Sequence, residues 1–350
     1  MALPLCPVRL PPLAPVNSSQ STVASIHARA AGVDTWSPCW YVDPESTAAR
    51  AMDALATQPT RRGRMIPEKI GSYRVGWFPA QQLVYAEGHP GGDGHLARAG
   101  ELEDAMHDLR SNLADHGVQL PEGNARDLWQ PPERRPGLAG LRRLDLTVDL
   151  AVDRGVDGVA LLAGMAALTA PRLQSQTTRE RSGRAVETVS WMGSRGIVAR
   201  MYDKGVESGS TARGEHLRLE AQLRYRSGER LDPASLNAHH VRGRFVERFQ
   251  PLWQATKGVS VIGTLAAPQR LHELVQQGRI THAQAKRLTG HLVFEAMGLN
   301  AGEARRTHYR HRAELRELGL VPADGVLEPV DVDVSAVLEA CMDAETWGTD

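Results

Sequence analysis

Apolar and polar residues alternate along three segments in the middle of the chain, residues 143–150, 199–204 and 216–224. On a β-strand, such alternation places the two classes on opposite faces. The first segment then carries Asp145 and Asp149 on a polar face, and the third carries Arg218 and Glu220 there. If the strands belong to one sheet, carboxylates and basic groups converge on its polar face.

The remaining pattern predicts both helices and strands. We expect helices over 46–57, 101–115 and 158–168, a strand over 36–42, a hairpin of 72–77 with 82–87, and a strand over 186–192. Residues 121–140 and 172–183 are rich in Pro, Gly or charge, which favours loops. In the middle of the chain, a predicted strand is followed by a helix and then by further strands. This order suits an antiparallel sheet with helices on its apolar face. We therefore predict the α+β class, with a small C-terminal helical domain.

Composition predicts five parts. They are a disordered N-terminal segment (1–30), two parts of one α+β domain (31–130 and 131–248), a helical domain (249–320) and an acidic tail (321–350). The net charge of the whole chain is zero, but the tail has eight acidic residues and no basic ones, whereas the middle is rich in arginine. A basic middle suits a phosphate-binding surface, although a solvated charged surface has the same composition. The tail suits a disordered end or a mimic of nucleic acid.

Several classes of protein are disfavoured by the sequence. No apolar run approaches the length of a membrane span, and the N-terminus lacks the basic start and apolar stretch of a secretory signal. The three cysteines are far apart, so they predict neither a disulfide framework nor a zinc cluster, which fits a reducing cytoplasm. No phosphate-binding Gly-Lys-Ser/Thr loop occurs, and we expect no ATP hydrolysis.

Tyr202 has two interpretations. It is either an ordinary strand tyrosine at the edge of the core or a nucleophile. A phenol titrates near pH ~10, so a nucleophilic tyrosine needs a base, a cation or a metal beside it. Arg200 and Lys204 lie two residues on either side and would share its strand face, where they could lower the pKa of the phenol.

The acidic residues also have two interpretations. Asp145, Asp149, Glu207 and Glu220 could pair with arginines across strands, or they could bind Mg²⁺ or Mn²⁺ through oxygen ligands. Asp145 and Asp149 are about 13 Å apart along an extended strand, so one ion does not reach both. We expect Asp145 and Glu220 to be the ligand pair.

The C-terminal helices offer basic residues and histidines. Residues 270–297 predict a helix-turn-helix-like pair or a plain helical scaffold. In the first case, the residues directed towards phosphates are Arg270, Arg279, Lys286 and Arg287. His308 and His311 are one helical turn apart, and we expect them to lie on the surface of a basic helix.

Four ordered blocks resemble the replication initiation factor family of plasmid rolling-circle initiators, filamentous-phage replication proteins and some conjugative relaxases. The blocks are RLDLTVD (143–149), WMGSR (191–195), RMYDKGVE (200–207) and LRLEAQLR (217–224). The resemblance covers roughly residues 140–230, is diffuse over 30–130 and does not extend to the C-terminal helices. It implies a curved antiparallel sheet with helices behind it. Members often carry a strongly basic region near the C-terminus, whereas this chain ends acidic.

The resemblance also implies a nicking-and-joining activity on DNA. Tyr202 matches the nucleophile, which would form a 5′-phosphotyrosine and release a 3′-hydroxyl. The metal positions match Asp145 and Glu220, with Asp149 and Glu207 as supporting acids. Basic positions near the phosphate match Arg200, Lys204 and Arg218, and further DNA contacts are expected from Arg195 and Arg224. The implied partners are single-stranded or melted origin DNA and a host helicase and polymerase; an oligomer is compatible with the sequence.

Three alternatives remain open. A relaxase of an integrative conjugative element would use the same local chemistry at a transfer origin. A DNA-binding regulator could keep the fold without catalysis, although Tyr202, Asp145 and Glu220 are all present. A protein unrelated to nucleic acid could carry a polar sheet face that is merely solvated.

Overall fold

The computed structural model describes residues 26–348 apart from 93–94, 124–135, 169–172, 180–185, 194–195, 210, 227–229, 297–304, 324–325 and 327–329. Arg195 and the predicted disorder of residues 1–25 therefore lie outside the described residues.

A ten-stranded antiparallel sheet forms the centre of the fold. Its strands are β1 (Ile26–Tyr41), β2 (Gln58–Pro59), β3 (Arg64–Met65), β4 (Tyr73–Phe78), β5 (Leu83–Gly88), β6 (Gly137–Val152), β7 (Gln174–Arg179), β8 (Val186–Gly193), β9 (Gly196–Asp203) and β10 (His216–Arg224). They are ordered β2-β3-β4-β5-β1-β6-β10-β9-β8-β7. The predicted α+β class with a large antiparallel sheet is thus confirmed.

The helices are α1 (Thr47–Leu55), α2 (Leu102–Asp115), α3 (Gly155–Ala167), α4 (Lys204–Ser208), α5 (Ala238–Ala255), α6 (Ala267–Gln276), α7 (His282–Ala296), α8 (Arg305–Glu317), α9 (Val334–Met342) and α10 (Ala344–Trp347). Side chains of Ser46 and Asn237 accept hydrogen bonds from the first turns of α1 and α5, which fixes where these helices begin. No helix in the described part of the chain is long and apolar enough to cross a membrane.

The apolar face of the sheet forms the main core. Leu144, Leu146, Val148 and Leu150 of β6 are fully buried, as the alternation predicts, and neighbouring strands contribute residues of the same kind. Helices α3, α5 and α9 contact the central strands. Removing this much aliphatic surface from water is the main stabilising contribution to the fold.

Three boundaries differ from the predicted ones. Strand β1 begins at Ile26, ten residues before the predicted strand and inside the segment 1–30 predicted to be disordered. Strand β6 begins at Gly137, within the predicted linker. Strand β7, Gln174–Arg179, occupies the predicted charged loop. All six residues of β7 are exposed, so this edge strand has no apolar face that alternation could have revealed.

The C-terminal region is not purely helical. Strands β11 (Ser260–Ile262), β12 (Leu320–Pro322) and β13 (Asp331–Asp333) form a small sheet with the order β12-β11-β13. The strands β12 and β13 come from the predicted acidic tail, so the helical domain predicted over 249–320 does not end at residue 320.

The acidic tail is folded where the structure describes it. Val334, Leu338, Cys341 and Trp347 belong to the main core, and α9 and α10 contact β1. The tail's charge misled the prediction because some of its acids cap helices. Asp333, for example, accepts hydrogen bonds from the backbone amides of Ser335 and Ala336.

Candidate functional site on the polar sheet face

The strand register brings the predicted site residues together. Arg218 of β10 lies opposite Asp149 of β6 and opposite Tyr202 of β9. Two residues further along β10, on the same face, Glu220 lies opposite Thr147 of β6 and opposite Arg200 of β9. We use the term polar face for Asp145, Thr147, Asp149, Arg200, Tyr202, Arg218 and Glu220.

Much of the polar face is buried. Asp145 is 1% exposed, Glu220 is 0%, Arg218 is 4% and Tyr202 is 6%. These side chains therefore do not form a solvated surface. Burying charges is costly unless they are paired, so this face requires a specific electrostatic arrangement.

Arginines from the same and neighbouring strands supply that arrangement. Arg200 donates to Glu220 Oε2 at 2.6 Å. Arg218 donates to both oxygens of Asp149 at 2.6 and 2.9 Å and to Asp34 Oδ1 at 2.6 Å. The cross-strand pairing that the sequence left open is thus present for Arg200 and Arg218, and it also recruits Asp34 from β1.

Asp145 is held by Arg143, two residues before it on β6. The Arg143 guanidinium donates to both carboxylate oxygens of Asp145 and, at 2.8 Å, to Glu87. Burial nevertheless raises the pKa of the Asp145 carboxyl to about 7; Arg143 opposes this rise, and the nearby charge of Glu220 adds to it. Two buried carboxylates close to each other favour either a proton or a cation between them.

Asp149 has the opposite electrostatic environment. Burial acts to raise its pKa, but hydrogen bonds and charge from His216 and Arg218 outweigh burial and lower it. His216 Nε2 lies 3.4 Å from Asp149 Oδ1. The Asp149 carboxylate is thus fully engaged in ion pairs, which separates its role from that of Asp145.

Tyr202 does not have the lowered pKa that its basic neighbours suggested. Its hydroxyl donates to Glu220 Oε2 at 3.5 Å, and the Arg200 guanidinium lies 4.9 Å from the ring centre. Burial raises the pKa of the phenol well above its ordinary value, Glu220 raises it further, and Arg218 and Arg200 lower it less. Ionisation of Tyr202 therefore needs a proton acceptor.

Lys204 is not on the strand face of Tyr202. Strand β9 ends at Asp203, whose side chain caps α4, and Lys204 is the first residue of that helix. Its ammonium group pairs with Glu207 at 2.7 Å. The Glu207 side chain is 55% exposed, so neither residue is part of the buried polar face.

Two buried oxygen atoms of the polar face lack hydrogen-bond partners among the described residues. They are Glu220 Oε1 and Thr147 Oγ1, which belong to residues paired across β6 and β10. A buried carboxylate oxygen without a donor is costly. Together with Asp145, Glu220 offers the oxygen ligands that Mg²⁺ and Mn²⁺ prefer, provided that Arg143 releases one oxygen of Asp145.

A cavity of about 690 Å³ adjoins one end of the polar face. Asp149 and His216 line it together with Arg29 and Arg98, two exposed arginines. Glu345 contributes an opposing charge. This cavity is an approach by which an anionic ligand could reach the polar face.

The predicted DNA-contacting residues are dispersed. Arg224 is exposed at the end of β10 and donates to Gln222 at 2.9 Å. Arg279 and Lys286 are exposed at the turn between α6 and α7 and on α7, without an ion pair in the described structure. Arg287 pairs with Glu314 of α8. Arg270 of α6 pairs with Glu273 and Asp331. The helix pair α6–α7 exists, but two of its four predicted phosphate contacts already have acidic partners.

Sequence reasoning missed a histidine cluster between α7 and α8. His308 and His311 do not simply coat a basic helix: His311 is buried, and both rings lie near that of His291, at 4.7 Å for His311 and 5.2 Å for His308. With Glu295, His291 and His308 form a group that could hold a metal ion. The sequence feature that could have revealed this cluster is the four-residue spacing of His291 and Glu295, which places both side chains on one face of α7.

No protein-family model matches this chain, and no curated protein matches it in sequence.

Proposed function

We propose that this protein is a metal-dependent DNA nicking-and-joining enzyme that initiates rolling-circle replication, with Tyr202 as nucleophile. The observation that supports it most is the placement of the Tyr202 phenol beside Glu220, a buried carboxylate whose second oxygen has no hydrogen-bond partner among the described residues. The placement of described residues from all four blocks in strands of one antiparallel sheet also supports it.

In the proposed reaction, the Tyr202 oxygen attacks the scissile phosphorus and the bond from phosphorus to the 3′ oxygen breaks. The phenolic proton passes to Glu220 Oε2, the carboxylate oxygen 3.5 Å away. The leaving 3′ oxygen takes a proton from solvent water and becomes a hydroxyl. The 5′-phosphotyrosine conserves the energy of the broken bond. The reverse attack by a 3′-hydroxyl rejoins the strand without ATP.

Mg²⁺ or Mn²⁺ held by Asp145 and Glu220 would supply charge neutralisation at the phosphate. The residues fit such an ion because Glu220 Oε1 has no donor and the two carboxylates raise each other's affinity for positive charge. Asp149 would hold Arg218 in position, and Glu207 would do the same for Lys204.

Arg200, which pairs with Glu220 on the polar face, is suited to a second role. Arg200 is one-third exposed and pairs with a single carboxylate oxygen, so a phosphate could replace that partner. A guanidinium binds phosphate and carboxylate oxygens with the same geometry. Because Tyr202 is buried, we expect DNA binding to rearrange the side chains around it.

A non-catalytic DNA-binding regulator is the second candidate. The closed set of ion pairs on the polar face favours it, since Asp145, Asp149 and Glu220 each have an arginine partner. A relaxase would use the same chemistry as the initiator and would differ in its DNA site and in meeting a coupling protein. The proposed initiator would act in the cytoplasm with a host helicase and polymerase.

A covalent adduct between protein and DNA tests the proposal. We would incubate the protein with a labelled single-stranded oligonucleotide library and Mn²⁺ and separate the products on a denaturing gel. We expect an adduct that maps to Tyr202 and is abolished in Tyr202→Phe, with DNA binding largely retained. The matched control is Tyr225→Phe, which removes the hydroxyl of a partly buried tyrosine directly after β10.

The outcomes separate the candidates. Cleavage that persists in Tyr202→Phe removes Tyr202 as nucleophile. DNA binding without an adduct, with Mg²⁺ and Mn²⁺ alike, supports the regulator. Absence of both binding and cleavage at low salt, where phosphate attraction is strongest, contradicts both candidates.

A further inference from the structure

A second group of metal-ligating side chains lies between α7 and α8. His291 and Glu295 are four residues apart on α7, and His291 Nε2 is 3.5 Å from Glu295 Oε2. From α8, His308 Nε2 lies 3.7 Å from Glu295 Oε1. One ligand atom from each of the three residues lies within 4.8 Å of the others.

The two carboxylate oxygens of Glu295 have different surroundings, and only one of them is hydrogen-bonded. The His291 side chain is 1% exposed, whereas those of Glu295 and His308 are 22% and 29% exposed. Arg312 donates two hydrogen bonds, at 3.0 and 2.6 Å, and both go to Glu295 Oε1. Glu295 Oε2 is buried and has no hydrogen-bond partner among the described residues. It is therefore the oxygen available to a cation.

The donor set determines which cation fits. Two imidazoles and one carboxylate are typical ligands of Zn²⁺, while Mg²⁺ and Ca²⁺ prefer oxygen ligands alone. Bonds of about 2.0–2.1 Å in a tetrahedral site place ligand atoms about 3.3 Å apart. The 3.5 Å between His291 Nε2 and Glu295 Oε2 is close to that value. His308 Nε2 lies nearer to Oε1, so side-chain rotation within the 4.8 Å spread of the three ligand atoms would complete the geometry.

We propose that this chain binds one Zn²⁺ through His291, Glu295 and His308, and that the ion fastens α8 to α7. The ion would reinforce a small apolar core that includes Leu288 and Leu292 of α7 and Leu315 of α8. Arg312 orients the Glu295 carboxylate through Oε1, as hydrogen-bonded partners of metal ligands commonly do. The site is separate from the carboxylates of the polar face and does not depend on the proposed nicking activity.

Zinc binding to the full chain without a histidine tag tests the proposal. We would remove metal with a chelator, titrate Zn²⁺ against a chromophoric zinc indicator and record the melting temperature with and without Zn²⁺. We expect one tightly bound Zn²⁺ per chain and a higher melting temperature. His308→Ala should weaken binding at least 100-fold. The matched control His282→Gln, an exposed histidine on the same helix, should bind as the unaltered chain does.

Two further measurements keep the test decisive if His308→Ala fails to fold. Glu295→Gln retains the shape of the side chain and should also weaken zinc binding. Co²⁺ added to the unaltered chain should give the intense visible absorption of a tetrahedral site with nitrogen ligands. The proposal is overturned if the unaltered chain binds no stoichiometric zinc, if the folded ligand variants bind zinc equally well, or if Co²⁺ shows only a weak octahedral spectrum.

Discussion

The polar face of the sheet and the histidine cluster of α7 and α8 both bury side chains that can bind a metal ion. They differ in the groups that surround those side chains. On the polar face, each of three carboxylates is paired with an arginine, and Arg218 also binds Asp34. Glu220 and Glu295 are alike in having one oxygen bonded to an arginine and a second, buried oxygen without a hydrogen-bond partner among the described residues. Glu295 differs because its second oxygen lies 3.5 Å from an imidazole nitrogen of His291. Donor atoms gathered in one place are thus insufficient to define a metal site; the charges that already neutralise them matter equally.

The difference follows from the two kinds of secondary structure. Adjacent strands set side chains of opposite charge directly across from each other, as with Glu220 and Arg200. A helix brings residues four apart onto one face, as with His291 and Glu295. Cross-strand pairing therefore favours ion pairs, whereas the helix pair leaves room for a metal ion shared by side chains of α7 and α8.

Removing the most deeply buried arginine should have the largest effect. In Arg218→Met, two largely buried carboxylates, Asp149 and Asp34, lose their partner, and we expect the free energy of unfolding to fall by about 3–5 kcal/mol. Urea denaturation measures this change. The control Arg224→Met alters an exposed arginine on the same strand and should change stability by less than about 0.5 kcal/mol. Equal effects of the two variants would mean that the ion pairs of Arg218 contribute little.

The second comparison uses pH to distinguish an aspartate ligand from the histidine cluster. The pKa of Asp145 is raised to about 7, and a carboxyl must lose its proton to bind a metal. Mn²⁺ affinity at the polar face should therefore increase about tenfold between pH 6 and pH 8, because the ionised fraction rises by that factor. Calorimetry on His308→Ala isolates this site. Asp145→Asn should abolish the pH dependence, and equal Mn²⁺ affinity at both pH values would exclude Asp145 as a ligand.

The smallest effect concerns two adjacent residues of α7. Lys286 has no ion pair in the described structure, whereas Arg287 is paired with Glu314. If α7 meets DNA phosphates, Lys286→Gln should lower the slope of log affinity against log salt by about 1, and Arg287→Gln should lower it less. Fluorescence anisotropy with a labelled oligonucleotide at several salt concentrations measures both slopes. Unchanged slopes in both variants would remove α7 from the DNA interface.

Much of the fold was predictable where one face of an element is apolar. Helix α2 ends at Asp115, as predicted, and the hairpin of β4 and β5 lies where alternation placed it. Strand β7 escaped prediction because all its residues are exposed and pairing with β8 alone defines it. The acidic tail packs against β1, which is distant in sequence. The charge composition of the tail does not reveal such a long-range contact.

Most members of the polar face were predictable, but Lys204 and Glu207 were wrongly expected there, and the ion pairs among its residues were not predictable. Alternation correctly placed Arg218 and Glu220 on one face, and the register then set Tyr202 beside them. It could not identify Asp34 as a partner of Arg218, because the two are 184 residues apart in sequence. The buried location of the polar face raises the pKa of Tyr202, an effect that the sequence of strand β9 alone does not contain.

The position of β1 has a consequence for the synthesis of the protein. This strand is fifth in the sheet of ten, between β5 and β6, and it contacts α9 and α10, which come far later in the sequence. At about 5–20 residues per second, a ribosome needs tens of seconds to proceed from β1 to α9. During that interval the apolar residues of this sixteen-residue strand lack their final cover. We therefore expect newly made chains to expose these residues, and to be open to aggregation, until their C-terminal helices are made.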